Sequence, residues 1–127
     1  MRIRIADVFE GKNTLIMRFH SPVGSGTALW NDAVPKSGDI VDVEFDLDEV
    51  FSWGKNMTPS SEKTPKIIAI GDITYITAEL FHSENEECTA LRLGDSTILI
   101  ELDGPIPQAP GFVEIRAARI QLYPTNV

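Results

Sequence analysis

Apolar and polar residues alternate with a period of two along most of this chain, and no segment carries the apolar spacing of an amphipathic helix. In RIRIADVFE (2–10) Ile3 and Ile5 alternate with Arg2 and Arg4. In TLIMRFH (14–20) Leu15, Met17 and Phe19 alternate with Ile16, Arg18 and His20. The loop Gly11-Lys12-Asn13 between them predicts a hairpin with glycine at the tight position. Residues 21–39 are rich in Gly, Pro and Ser and read mostly as loop. Ala28-Leu29-Trp30 is their apolar island, a short strand or one helical turn.

Residues 40–53 (IVDVEFDLDEVFSW) make the most regular strand. Val41, Val43, Phe45 and Leu47 point one way, and Asp42, Glu44, Asp46 and Asp48 the other. The alternation fails at Glu49-Val50, where either Glu49 turns inward or an extra residue forms a bulge. Without a bulge Phe51 and Trp53 rejoin the core face; with one they join the carboxylates. Residues 53–66 read as a polar, proline-punctuated loop, and 67–82 as a second long strand bent or interrupted at Gly71-Asp72. SENEE (83–87) is an acidic turn. CTALRL (88–93) and STILIEL (96–102) flank Gly94-Asp95, a two-residue hairpin signal. A proline-rich crossing (103–111) leads to a closing strand (112–124) whose phase shifts at Ala117-Ala118.

This pattern predicts six or seven strands and an all-β fold. Long strands with breaks at their middles suit a sheet that curls and closes, since bulges and glycines let one strand serve two sides of a barrel. The expectation is one domain over residues 1–127, a small closed or partly open Greek-key barrel, with a β-sandwich as the alternative. The segment 39–124, with its long bent strands, hairpin and closing strand, resembles an OB-fold barrel. It departs from that family in offering no helix between the third and fourth strands.

At 127 residues the chain can bury roughly 65–70% of the surface its unfolded form exposes, so it needs no covalent staple. The single Cys88 forms no internal disulfide, and the opening MRIRIADVFE lacks the apolar run of a signal peptide. No run reaches the length of a membrane span. A cytoplasmic location is the expectation.

Charge changes the picture more. Net charge is −8 and is unevenly placed: residues 39–103 hold fifteen acids against four bases, whereas residues 1–38 hold three acids against five bases. A field of that sign repels phosphates and anionic lipid and attracts basic surfaces. Nucleic acid and membrane are therefore disfavoured as partners. Arg2, Arg4, Arg116 and Arg119 could form a small basic patch, but they suit pairing with the protein's own acids better.

Candidate chemistry is sparse. Gly24-Ser25-Gly26 lacks the G-x-S-x-G spacing, and Ser60-Ser61-Glu62-Lys63 matches S-x-x-K only within a loop. Cys88 follows an acidic turn, which disfavours its thiolate. His20 and His82 fall on different strands, with no cysteine pair, HxH or calcium-loop pattern, and no phosphate cradle is present. The reading is non-enzymatic, with no cofactor and no metal.

That leaves the acidic row. Six acids and no base occupy residues 39–49. One account is a solvated face that also guards a sheet edge. The other is a receptor for a lysine- and arginine-rich partner: Asp42, Glu44, Asp46 and Asp48 supply the charge, Glu49 joins them if it faces outward, and Phe51 and Trp53 are anchors if a bulge exposes them. In size, acidity and lack of catalytic motif the chain resembles bacterial inhibitor or immunity proteins that neutralise basic toxins, often nucleases. The resemblance implies occlusion of a cationic site by carboxylates that mimic phosphate. Two other classes stay open: a small-ligand or oligosaccharide binder using Trp30, Trp53 and Tyr75, and a structural subunit docking by its acidic face.

Overall fold

The structure, a computed structural model, describes residues 1–11, 13–82, 89–106, 111–118 and 120–125. Twelve strands are present among them: β1 (Arg2–Glu10), β2 (Leu15–Ser21), β3 (Gly24–Trp30), β4 (Ile40–Asp46), β5 (Val50–Phe51), β6 (Met57–Pro59), β7 (Lys66–Ile70), β8 (Ile73–His82), β9 (Thr89–Leu93), β10 (Ser96–Leu102), β11 (Phe112–Ala117) and β12 (Gln121–Pro124).

Five of them close on themselves. β4, β1, β2 and β3 pair antiparallel in succession, and β12 enters between β3 (parallel) and β4 (antiparallel). The circuit β1-β2-β3-β12-β4-β1 is a small Greek-key barrel of OB-like kind. The other strands come from residues between β4 and β12 and bond to the outside of this barrel. β7 joins β3 beside Gly24 and Ser25, β8 joins β7, β9 and β11 join β8, and β10, β6 and β5 extend the sheet further.

Alternation builds the barrel wall. Ile3 and Ile5, Met17 and Phe19, Val43 and Phe45, and Leu122 all point inward and are buried. The Phe19 and Phe45 rings meet at 6.0 Å, tilted by 58°. The apolar cluster continues without a break into the outer strands through Ile67, Ile76, Leu91, Ile98 and Ile115. Each such side chain contributes roughly 1.5–3 kcal/mol on removal from water. In β1 the register slips between Ile5 and Asp7, so the inward phase moves from Ile3 and Ile5 to Val8. β1 pairs with β4 over Arg2–Arg4 and with β2 over Arg4–Glu10, across the bulge.

Several expectations need correction. The barrel is not segment 39–124; it is built from residues 2–46 and 121–124, and the intervening chain supplies the added strands. The strand count is twelve rather than six or seven. In the first hairpin the left-handed residue is Asn13 (φ 60°), not Gly11; asparagine's short polar side chain tolerates that conformation. The island Ala28-Leu29-Trp30 is a strand, and it extends back through Gly24–Thr27, read as loop, to make β3, joined to β2 by a tight turn. There Ser21 Oγ donates to the Gly24 carbonyl (2.7 Å) and accepts the Val23 N–H (3.2 Å). Gly71-Asp72 does not bend a strand but turns a hairpin, with Ile70 opposite Ile73 and Gly71 at φ 60°. Residues 57–59 of the expected polar loop pair with β11. The Gly94-Asp95 hairpin and the phase change between Ala117 and Ile120 are present as expected. The acidic turn 83–87, Cys88 and Arg119 lie outside the described residues.

The glycines of β3 explain why a strand there looks like a loop. A Cβ on Gly26 would come 2.9 Å from the Phe19 ring, and one on Gly24 would come 2.1 Å from the Ile67 carbonyl oxygen. Gly24 also sits at φ +136°, where side chains rarely go. Gly24→Ala is therefore expected to destabilise the protein by roughly 2–4 kcal/mol. Gly38→Ala, also at positive φ but with open space around it, is expected to cost only about 1 kcal/mol. Urea midpoints of the two variants, compared with wild type, check this.

Candidate functional site: an acidic groove between β4 and β10

Strand β4 holds its carboxylates outward because Val43, Phe45 and Leu47 fill the barrel. Asp42, Glu44, Asp46 and Asp48 are all exposed. Their cross-strand neighbours differ. Asp42 stands opposite Arg2 and pairs with it at 3.6 Å; both are more than half exposed, so the pair contributes little to stability. Glu44 stands opposite Tyr123 and Asp46 opposite Gln121; the Tyr123 hydroxyl donates to Gln121 Oε1 at 3.1 Å. β4 pairs with β1 over residues 40–42 and with β12 over 43–46.

Beyond Val43, β4 runs alongside β10 without forming a ladder with it. Two depressions open between them. The larger, ≈ 620 Å³, is lined by Glu44, Asp46, Asp95, Leu99 and Tyr123 among others; the smaller, ≈ 300 Å³, by Asp46, Asp48, Glu49, Val50, Leu99 and Glu101. Asp46 and Leu99 line both, so the two form one groove with Leu99 at its centre. Leu99 is 65% exposed because β10 turns Ser96, Ile98 and Ile100 into the core and Thr97, Leu99 and Glu101 out. Val50 and Tyr123 are the other exposed apolar groups along it. Among the described residues no lysine or arginine lines either depression; the Met1 ammonium, in the lining of the larger, donates to the Val43 carbonyl. Carboxylates from two separate elements thus surround an exposed apolar centre.

The remaining candidates lie elsewhere. The strand expected over 40–53 ends at Asp46, and Val50–Phe51 is a separate strand paired with β10; Leu47 and Phe51 both point inward. Phe51 is completely buried, and Trp53 is half-buried against the core, so neither shares the carboxylate face. Glu49 is half-buried and turned to structural use: its two oxygens accept the Ala118 N–H at 3.0 and 3.2 Å, tying the end of β4 to the corner between β11 and β12. Trp30 is buried with its Nε1 donating to the Ala33 carbonyl at 2.8 Å. Sequence reading missed Asp95, Leu99, Glu101, Val50 and Tyr123, because nothing local announces that β10 lies beside β4. The run STILIEL has apolar residues at both parities, so it does not declare which face is outward.

Other chemistry is thin. His20 Nδ1 and Ser25 Oγ lie 2.5 Å apart on neighbouring strands, on the solvent side of the barrel wall, and form a cross-strand hydrogen bond. Arg18 pairs with Asp7 at 3.6 Å. Among the described residues no three His, Cys, Asp or Glu side chains converge on a metal position, and no helix is long and apolar enough to cross a membrane. The chain matches no protein-family model, no curated protein and no solved structure.

Glu49 offers a direct check on the split between structural and surface acids. Glu49→Ala removes the acceptor for the Ala118 N–H and is expected to cost ~1 kcal/mol. Asp48→Ala, exposed at the next position, should stay within about 0.5 kcal/mol of wild type. Chemical denaturation of both variants tests the assignment.

Proposed function

We propose that this protein is a non-enzymatic binding module that takes a basic segment of another protein into the groove between β4 and β10. In this reading it acts as an inhibitor of the immunity type. Its carboxylates stand in for the phosphates of the partner's own substrate and cover the partner's cationic site. The observation that carries the reading is the groove's composition: Glu44, Asp46, Asp48, Asp95 and Glu101 around an exposed Leu99, with no lysine or arginine among the described lining residues.

Charge and apolar contact have separate tasks here. Like charges held two residues apart on one strand repel, and mixed signs serve solubility better, so an unmixed row has a cost that a steering role would justify. A focused negative field raises the rate of encounter with a basic partner, most strongly at low salt. Leu99, flanked by Val50 and Tyr123, supplies the desolvated centre that holds the complex once formed. Phe51 and Trp53 have no part in this contact; their place as anchors passes to the exposed residues of β10 and β12. The ligand-binding alternative is weakened by Trp30, whose ring is committed to the core.

The test is affinity capture from nuclease-treated extract at low and high salt, with wild-type protein and a Glu44→Lys/Asp46→Lys variant as parallel baits. Both positions are exposed, so the variant should keep its urea midpoint within about 0.5 kcal/mol. Wild type is expected to retain a basic polypeptide at low salt and release it at high salt. The double reversal should weaken that complex by about 100-fold or more. A complex that survives the reversal unchanged would refute the groove as its site.

A further inference from the structure

The outward face of the β7–β8 hairpin has the opposite character from the groove. Ile68 and Ile70 are 48% and 63% exposed, and their cross-strand partners Tyr75 and Ile73 are half-buried beside them on the same face. From Ile67 to Ala78 the sole charged residue is Asp72, in a chain whose net charge is −8. Strand β11 adds Arg116, opposite Tyr75 in the ladder and exposed. Asp72 at the hairpin tip and Arg116 beside its base have no ion-pair partner among the described residues. Two apolar rungs, Ile68–Tyr75 and Ile70–Ile73, thus have an acid beyond the tip rung and a base level with the inner one, and the next rung inward carries Lys66 and Glu114.

We infer that this face is the contact between two copies of the chain, related by a two-fold axis. Two such faces laid antiparallel are self-complementary. The Ile70–Ile73 rung of each copy packs on the Ile68–Tyr75 rung of the other, and Asp72 of each meets Arg116 of its mate, as an isologous contact requires. Charge selects the occupant. Two acidic molecules repel over most of their surfaces and approach at least cost through a face whose charges are of both signs, Asp72 and Glu114 against Lys66 and Arg116. A basic partner gains nothing there that the acidic groove does not offer more strongly. The face shares no residue with the groove lining, so a dimer keeps two grooves open.

Sedimentation velocity on the full chain over a wide concentration range tests this, in moderate and in high salt. A reversible monomer–dimer equilibrium is expected, persisting at high salt where capture by the acidic groove is lost. Ile70→Lys should raise the dimer dissociation constant about 10-fold or more. Asp72→Arg and Arg116→Asp should each weaken the dimer, and the two together should restore it in large part, an outcome that a general loss of stability would not produce. Circular dichroism and urea midpoints establish that the variants fold. A chain that stays monomeric at every concentration, a dimer indifferent to these substitutions, or a different protein seated on the face would overturn the inference. The Glu44→Lys/Asp46→Lys variant should dimerise normally, which separates this result from the fate of the groove.

Discussion

Closure of the barrel by β12 is the constraint on which the rest depends. Strands β3 and β4 do not pair with each other; the four residues Gln121–Pro124 fill the space between them, parallel to one and antiparallel to the other. The Leu29 N–H donates to the Ile120 carbonyl and the Thr125 N–H to the Asp42 carbonyl, so both edges are bonded by the same short segment. Without it, two strand edges of a small barrel would lie open to water and to other chains. The price is topological: the chain must leave the barrel after β4, build seven further strands and return. Such long-range pairing carries a loop-closure entropy cost that the barrel's contacts must offset.

The excursion creates the surface that matters. As a bare barrel, β4 would show a row of acids to solvent and nothing more. The returning sheet lays β10 beside it, adding Asp95, Glu101 and the exposed Leu99 and turning a row into a groove. The same excursion carries the β7–β8 hairpin away from the barrel wall after two residues of contact with β3, leaving Ile70 unsupported on its outer side. Gly24 is the hinge between these halves, because only a residue without Cβ lets the Ile67 carbonyl approach so closely.

How much of this can be seen in the residues is best judged element by element. The alternation of β4, of β2 and of β1 up to its bulge read correctly because each of these stretches has an apolar face that a one-residue slip would invert. Strand β3 was hidden, since its glycines answer to Phe19 and Ile67, which are distant or on another strand. The dipeptide Gly-Asp occurs twice as a hairpin turn, at 71–72 and 94–95. It is legible at the second, where Ser96 and Thr97 follow it, and masked at the first by isoleucines on both sides. Of the candidate site, the outward acids Asp42, Glu44 and Asp46 of β4 and Asp48 just beyond it were legible. Glu49, Phe51 and Trp53 turned on a bulge that alternation alone could not decide.

By itself, then, the sequence determined an all-β chain, the inward and outward faces of its best strands, and a concentration of negative charge in its middle. These follow from local physics: side-chain direction alternates with a period of two, and charge adds up along the chain. Tertiary structure decided which strands close the barrel, which acids share a groove, and where apolar side chains remain in water. Those depend on pairings between residues far apart, such as Leu122 with Phe45 and Ile67 with Gly24. A strand edge carries the same unpaired N–H and C=O groups whatever its partner, so the choice among partners is made only when the whole core packs at once.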